Sequence, residues 1–386
     1  MNESLFAPIE NITTSVLDGI AGFLNYGDGD LREPPTDGSV TLPQDLFAKP
    51  DVQTEWWYYT GHCKYESGHE FGFELVFFKR RTDRDRIGVV PMTALANPMY
   101  FAHFAITDID KQTFHYEHLR SFDKPFDVPV SMSTTSCDVR LGPWTLREVA
   151  GKHLLHATFQ DGFVFDAVLD PAKPLVLNGG DGITQKSHGA SNHFSYTRMS
   201  VSGQSIAYGE MEKFNGTAWM DREFGSWGQG DWDWFSVQFD NNTELMIYQF
   251  RTASGEMNGA STGTFVGEDG TCVYLERKDF DIETLSTWTS EKTRAEYPSR
   301  WHVSVESLCI DLEIEPLVAD QELDTRGSTM IVYWEGACRV NGTSGGEAVT
   351  GRAYVELVGY DRSHEKAGLA DFLFGNRFRR IQELFG

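Results

Sequence analysis

Short segments in which apolar and polar residues alternate fill the chain from about residue 55 onward. Examples are EWWYYTGHCKY, HEFGFELVFFKR, YFAHFAITD and GFVFDAVLD, each bounded by Gly, Asp or Asn. Alternation places successive side chains on opposite faces of an extended strand, and frequent turn residues interrupt the chain before a helix could form. This pattern predicts an all-β protein built from many short antiparallel strands.

An internal similarity predicts two related β domains in tandem. YTGHC (59–63) is followed by GFELV (72–76), and much later WEGAC (334–338) is followed by YVELV (354–358). A length of 386 residues is sufficient for two such domains. We predict an N-terminal arm over residues 1–45, a first domain over 46–212 and a second over 213–386. Chance similarity between two hairpins is the alternative explanation.

The last residues, HEKAGLADFLFGNRFRRIQELFG (364–386), carry leucine and phenylalanine at helical spacing. This pattern predicts a C-terminal helix that docks on a sheet, and peripheral contact with a membrane is its second interpretation. The chain contains no run of eighteen apolar residues, so we expect no membrane-spanning segment.

The formal net charge of −24 opposes binding to phosphate backbones and argues against a nucleic-acid partner. Five widely spaced cysteines without a CxxC motif indicate reduced thiols, and the N-terminal residues do not resemble a secretory signal, so we expect a cytoplasmic location. The histidine pairs at 115/118 and 153/156 lie in extended segments and do not suit a metal ion. The motifs of serine hydrolases, dinucleotide-binding enzymes and P-loop NTPases do not occur.

The stretch GTAWMDREFGSWGQGDWDWFSVQF (216–239) combines four of the ten tryptophans with several acidic residues. In an extended strand, Trp219, Asp221 and Glu223 share one face. In the following strand, Trp232 and Trp234 share a face with Gln238. A face that mixes aromatic rings with hydrogen-bonding groups suits the wall of a cavity, either within a barrel or between sheets.

Such an environment favours acid catalysis. A carboxyl group surrounded by indole rings is poorly solvated, so its pKa rises. Asp221 and Glu223 would lie about 7 Å apart on the same face, where two negative charges oppose each other. A carboxyl group that keeps its proton can act as a general acid, and indole faces stabilise a developing cation by about 1–2 kcal/mol each. These groups could protonate an alkene and stabilise the carbocation, whereas the alternative is that Asp221 pairs with Arg222 or another arginine and holds a turn.

The blocks EWWYYTGH (55–62), AHFAITD (102–108), GTAWMDREFGS (216–226) and WDWFSVQF (232–239) resemble the carotenoid hydratase (hydroxyneurosporene synthase) family. They also resemble its lipocalin-like relatives, which are often labelled predicted secreted hydrolases. The resemblance runs from about residue 50 to about residue 362. It implies two lipocalin-like β-barrel or sandwich domains, an isoprenoid or polyene substrate, and no organic cofactor. Protonation of a C=C bond would be followed by hydration or by ring closure.

The family pattern, matched to this sequence, places the proton donor at Asp221, with Glu223 and His103 as supporting catalytic groups. It places the cavity aromatics at Trp219 and Trp234. The other predicted substrate-binding residues are Trp57, Tyr59, Tyr196, Trp232, Gln238, Tyr248, Tyr333 and Glu356.

The main functional hypothesis is therefore a cofactor-free hydratase or terpenoid cyclase with a hydrophobic small-molecule substrate. Three alternatives stay open. A pericyclase would close rings of a polyene without protonation. A glycoside hydrolase would use two carboxylates at a separation of roughly 6.5–9.5 Å. A lipocalin-type carrier would bind a lipophilic ligand and leave it unchanged.

Overall fold

The structure is a computed structural model, and it describes residues 37–81, 86–87, 90–91, 98–124, 127–186, 189–207, 209–228, 230–252 and 254–361. The predicted C-terminal helix and most of the predicted N-terminal arm lie outside these residues. Within the described part, the helical elements are the 3-10 turns Gln44–Leu46, Arg277–Asp279 and Glu306–Leu308. None of these helices could cross a membrane.

Antiparallel strands make up the rest of the regular structure, and the all-β prediction is confirmed. In chain order the strands are β1 (Thr54–Tyr65), β2 (Glu70–Arg80), β3 (Arg86–Ile87), β4 (Val90–Pro91), β5 (Met99–Asp108), β6 (Thr113–Ser121), β7 (Val130–Met132), β8 (Asp138–Leu141), β9 (Trp144–Val149), β10 (Lys152–Thr158), β11 (Val164–Pro171), β12 (Val176–Leu177), β13 (Ile183–Gln185), β14 (Gly189–Ala207), β15 (Glu210–Trp227), β16 (Asp231–Phe239), β17 (Glu244–Arg251), β18 (Thr262–Val266), β19 (Cys272–Glu276), β20 (Asp281–Thr289), β21 (Glu296–Val305), β22 (Ile310–Pro316), β23 (Glu322–Asp324), β24 (Val332–Ser344) and β25 (Glu347–Val358).

These strands form two large curled sheets, as expected for two lipocalin-like domains. The first sheet has thirteen strands in the order β6-β5-β2-β1-β15-β14-β11-β10-β9-β8-β7, and β12 and β13 pair with β14. The second sheet has ten strands in the order β19-β18-β17-β16-β25-β24-β22-β21-β20, and β23 pairs with β24. The short strands β3 and β4 pair with each other.

The chain passes from the first sheet to the second between Trp227 and Asp231. Strand β15 belongs to the first sheet because β1 and β14 pair with it on either side. The domain boundary that we predicted at residues 212/213 therefore falls inside a strand of the first sheet. All five cysteines carry free thiols, as the sequence predicted.

Each sheet uses one face for its own hydrophobic core. The first core contains Trp57, Phe73 and Met220, and the second contains Phe235 and Trp334. The opposite faces of the central strands meet each other and form a third packed layer, which we call the interdomain layer. Its buried aromatic members are Tyr58, Trp219, Trp234, Tyr248, Phe250 and Tyr354.

Hydrogen bonds across the interdomain layer connect the two sheets. The Tyr58 hydroxyl donates to Glu335 Oε1 at 2.7 Å, and the Thr107 hydroxyl donates to Gln321 Oε1 at 2.7 Å. Buried polar groups require such partners, so the two domains are held in a defined relative position.

Arg222 lies on the face of β15 opposite to Asp221. Its Nη2 atom lies 2.6 Å from Glu55 Oε2, and Glu55 Oε1 lies 2.6 Å from Lys79 Nζ. The alternative in which Asp221 pairs with Arg222 is therefore wrong, because alternation along β15 separates the two side chains.

Candidate active site between the two domains

Strand β15 directs Trp219, Asp221 and Glu223 into the interdomain layer, on the face that alternation predicts. Trp219 Nε1 donates to Asp221 Oδ1 at 2.8 Å, and all three side chains are buried. Tyr58 of β1 is the neighbour of Asp221 across the strands. The tryptophan-rich face of β16 meets this surface from the second domain, with the rings of Trp219 and Trp234 6.0 Å apart. The mixed face therefore lies between the sheets, which was one of the two expected locations.

Two hydrogen-bond donors contact Asp221 Oδ1, and a histidine ring lies near Oδ2. Besides Trp219, the Ser195 hydroxyl donates to Oδ1, and His193 Nε2 lies 3.4 Å from Oδ2. The other ring nitrogen of His193, Nδ1, lies 3.0 Å from the Thr184 hydroxyl. The two hydrogen bonds to Oδ1 hold the Asp221 carboxyl group in a defined orientation within the interdomain layer.

Glu223 forms an ion pair with Lys186 and accepts a hydrogen bond from the Ser191 hydroxyl. Four aromatic rings surround the ammonium group of Lys186. Their centroids lie 4.1 Å (Tyr248), 5.0 Å (Phe250), 5.3 Å (Trp227) and 6.0 Å (Trp56) from Nζ. Burial lowers the pKa of Lys186, and the charge of Glu223 opposes this shift. The site can therefore hold a cation among aromatic rings.

Glu356 lies in a cross-strand row with Trp234 on one side and Glu335 on the other. Residues directly opposite in neighbouring strands have Cβ atoms about 5 Å apart, so the row is continuous. Trp232 Nε1 donates to Glu356 Oε2 at 2.9 Å. Burial raises the pKa of Glu356 to about 7. The negative charges of Glu223 and Asp221 add to this increase, whereas the hydrogen bond from Trp232 opposes it. Glu356 therefore retains its proton at a pH where an exposed glutamate has lost it.

Two further acids, Glu74 and Glu335, extend this group. The Tyr333 hydroxyl donates to Glu74 Oε1 at 3.0 Å. Burial raises the pKa of Glu74 to about 8 and that of Glu335 well above its usual range. In the part of the chain that the structure describes, their Oε2 atoms are buried and have no hydrogen-bond partner, and the same is true of Trp234 Nε1. These atoms are therefore available to a ligand or a water molecule.

His103 approaches the site through Tyr333 rather than through Asp221. Its Nδ1 atom lies 2.7 Å from the Tyr333 hydroxyl. Burial lowers the pKa of His103 well below its usual value, and the nearby His118 adds to this shift. His103 is therefore a neutral imidazole next to the Glu74 carboxyl group.

Three of the predicted substrate-binding residues lie away from this site, on the inner face of the first sheet. Trp57 Nε1 donates to Leu46 O at 2.8 Å, and the Tyr59 hydroxyl lies 2.7 Å from His153 Nδ1. Tyr196 packs against the same core and against His153. Trp57 and Tyr59 face away because they flank Tyr58 along β1, and Tyr58 points into the interdomain layer.

Gln238 points into the interdomain layer, but its amide is fully used within the protein. Its Nε2 atom donates to Thr197 O at 2.8 Å and to Ala218 O at 2.9 Å, while its Oε1 accepts a 2.8 Å hydrogen bond from the Thr217 hydroxyl. Gln238 therefore joins the two domains rather than offering groups to a substrate.

A cavity of about 870 Å³ lies between the two domains, and none of the site's carboxyl groups lines it. Its walls include residues 183–185 of the first domain and residues 259–262 of the second. Thr184 lines this cavity, and its hydroxyl lies 3.0 Å from His193 Nδ1. A separate void of about 10 Å³ beside Trp219 and Tyr354 has room for about one water molecule. No cluster of three or more His, Cys, Asp or Glu side chains in the described ranges is arranged to hold a metal ion.

The raised carboxyl pKa values predict that the protein loses stability as the pH rises above neutrality. Glu74, Glu335 and Glu356 bind a proton more tightly in the folded protein than in the unfolded chain. Their contribution is complete below about pH 4.5 and is lost as the pH rises through the folded-state values. The buried histidines act in the opposite sense, but only below about pH 6.5.

We therefore expect the free energy of unfolding to fall between about pH 6.5 and pH 8. The free energy of unfolding should fall by about 1.4 kcal/mol per pH unit for each carboxyl group that is still protonated in the folded protein. Urea denaturation at several pH values measures this slope, and Glu74→Gln should reduce it. A free energy of unfolding that stays constant or rises over this range would contradict the assignment.

The family model described as AttH-like matches residues 33–360 of the chain. A crystal structure of an AttH protein from Nitrosomonas europaea is similar, with 28% sequence identity and a TM-score of 0.75, over 86% of this chain and 100% of that one. Kievitone hydratase from Nectria haematococca shares the fold at 16% identity and a TM-score of 0.65, over 85% of this chain and 97% of that one. No curated protein matches the chain.

The matched range includes every block on which the resemblance to the carotenoid hydratase family and its lipocalin-like relatives depends, so that resemblance is confirmed. The chain belongs to the AttH-like family.

Proposed function

We propose that the protein is a hydratase that adds water to a C=C bond of an apolar isoprenoid or polyene substrate bound between the two domains. The observation that carries this proposal is the pairing of two different carboxyl groups within one aromatic layer. Burial raises the pKa of Glu356 to about 7, and Asp221 accepts hydrogen bonds from Ser195 and Trp219 and would serve as the base. Two carboxyl groups whose environments separate their protonation states supply an acid and a base.

Glu356 acts as the general acid in this proposal. It transfers its proton to one carbon of the double bond, so that a C–H bond forms, the π bond breaks and the neighbouring carbon becomes a carbocation. The rings of Trp219, Trp234 and Tyr248 lie around the same layer and stabilise this cation by about 1–2 kcal/mol each. The aromatic rings around the ammonium group of Lys186, which pairs with Glu223, support this role.

Asp221 acts as the general base. A water molecule attacks the carbocation, a C–O bond forms, and the water transfers one proton to Asp221. The unpartnered indole N–H of Trp234 can donate to the oxygen of this water. After one turnover Asp221 has gained a proton and Glu356 has lost one, so both must exchange protons with solvent before the next cycle.

Asp221→Asn should lower kcat by about 10²-fold, the lower end of the range for general acid–base catalysis. We expect a smaller loss of kcat than for replacement of the general acid Glu356, because a carbocation reacts readily with water even without a base. The asparagine keeps the hydrogen bond from Trp219, so the fold should be retained. Single-turnover measurements of product formation test this expectation, and a kcat equal to that of the wild type would exclude Asp221 as the base.

The reaction class is tested by incubating the protein with linear isoprenoids and conjugated polyenes. Mass spectrometry of the products separates the hypotheses. Hydration increases the mass by one water, whereas cyclisation and pericyclic reactions give an isomer of unchanged mass. A carrier binds the compound without altering it, and a glycoside hydrolase acts only on an added panel of aryl glycosides. The fold shared with kievitone hydratase supports the first outcome.

A further inference from the structure

A continuous series of hydrogen-bonding side chains connects the buried Glu74 carboxyl group with the protein surface. The steps are His118 Nδ1 to Ser328 Oγ (2.8 Å), Ser328 Oγ to His103 Nε2 (3.4 Å), His103 Nδ1 to Tyr333 Oη (2.7 Å) and Tyr333 Oη to Glu74 Oε1 (3.0 Å). The four inner members are each at most 2% exposed, whereas His118 is partly exposed. We call this series the His118–Glu74 chain.

Every intermediate member can accept a proton on one side and donate a proton on the other. Hydroxyl groups and a neutral imidazole have both capacities. Because the Tyr333 hydroxyl donates to Glu74, its oxygen is free to accept from His103 Nδ1. Nε2 of the same neutral ring can then accept from Ser328, whose oxygen accepts from His118. All four hydrogen bonds can therefore point inward at the same time.

The neutral state of His103 is essential to this geometry. A doubly protonated ring would present two donors and could not accept from Ser328. Burial holds the pKa of His103 well below its usual value, which keeps one ring nitrogen unprotonated. The Ser328 hydroxyl also lies 3.1 Å from Thr325 O, so it has a second acceptor to which it can turn when the chain resets.

The inner end of the chain reaches the proposed acid site. Glu74 and Glu335 each have a buried Oε2 atom without a hydrogen-bond partner among the described residues. Glu335 is the cross-strand neighbour of Glu356, the proposed general acid. A proton delivered to Glu74 therefore arrives in the group of buried acids to which Glu356 belongs.

We propose that the His118–Glu74 chain conducts protons between solvent and the buried carboxyl groups of the interdomain layer. One proton enters at His118, each member passes one proton inward as it receives one, and the Glu74 carboxylate becomes a carboxylic acid. Only N–H and O–H bonds form and break, and the His103 ring changes tautomer. His103, Tyr333 and Ser328 are positioning residues for this transfer. The use of the delivered proton in catalysis rests on the proposed hydratase function, but the transfer itself does not.

Infrared spectroscopy of the full-length protein tests the transfer without a substrate. The carbonyl band of a protonated carboxyl group shifts when its O–H becomes O–D, and the part of this band that Glu74→Gln removes belongs to Glu74. After rapid transfer into D₂O, we expect this band to shift quickly in the wild type. In His103→Phe the shift should be about tenfold slower or more, because the remaining route is local opening of the fold.

Ser328→Val interrupts the His118–Glu74 chain with a smaller change and should slow the shift in the same way. It therefore tests the proposal even if His103→Phe does not fold. His62→Phe is the matched control, since His62 is half-buried between the same domains but contacts Ala353 O instead of the His118–Glu74 chain. Its band should shift at the wild-type rate. Exchange at the wild-type rate in His103→Phe or Ser328→Val, or the absence of a Glu74 band in the wild type, would overturn the proposal.

The same variants separate this proposal from the proposed function. If Glu356→Gln abolishes hydration while the Glu74 proton exchanges at the wild-type rate in His103→Phe, the His118–Glu74 chain is not the proton route but the hydratase function stands. If no compound is hydrated while His103→Phe slows the exchange, the proton route stands without that function.

Discussion

Glu356→Gln should lower kcat for hydration by about 10²–10⁴-fold, the range expected for loss of a general acid. The side-chain amide has nearly the same size as the carboxyl group and can still accept the hydrogen bond from Trp232. It has no proton acidic enough to transfer to carbon. Glu335 and Glu74 also hold protons, but they belong to other strands and do not occupy the position of Glu356 beside Trp234.

The measurement is kcat with any compound that the wild type hydrates, together with urea denaturation to verify the fold. Glu347→Gln is a suitable control because Glu347 lies on the same strand but is exposed to solvent. Its kcat should equal that of the wild type. A Glu356→Gln variant that is folded and fully active would show that another group donates the proton.

Arg222→Ala should destabilise the protein by about 3–5 kcal/mol, the cost of removing one member of a buried ion pair. The guanidinium is completely buried, and Lys79 would be the remaining ion-pair partner of Glu55 in the same core. Arg222 also donates to the backbone oxygens of Asp45, Phe47 and Trp56, so these acceptors would lose a partner as well. Urea denaturation at neutral pH measures the loss.

The matched control is Arg339→Ala. Arg339 forms an ion pair with Glu315 at 2.8 Å, but both side chains are largely exposed. Exposed pairs contribute about 0–1 kcal/mol, so the control should be nearly as stable as the wild type. Equal and small losses in the two variants would contradict the structural role of the buried pair.

Alternation along a single strand could be predicted from the sequence, and pairing between distant strands could not. The sequence therefore predicted that Asp221 and Glu223 share a face with Trp219. It could not show which residues of β1 share that face, because the pairing of Tyr58 with Asp221 depends on the register between strands far apart in the chain. The placement of Trp57 and Tyr59 in the first core follows from this register.

A second acid of the site could be predicted from the internal similarity. Glu74 in GFELV and Glu356 in YVELV occupy equivalent positions in the two copies. Glu74 is fully buried and Glu356 is partly buried, and both belong to the group of acids between the domains. Lys186 could not be found in this way, since it lies in a loop segment without alternation. Its position depends on Glu223 and on four aromatic rings contributed by the three strands β1, β15 and β17.

The most direct test of the proposed function is to run the hydration reaction in D₂O and analyse the product by NMR and mass spectrometry. If a carboxyl group of the protein protonates the double bond, the product carries one deuterium bound to carbon and a hydroxyl group on the adjacent carbon. A product without deuterium on carbon, or an isomer without added water, would contradict the account.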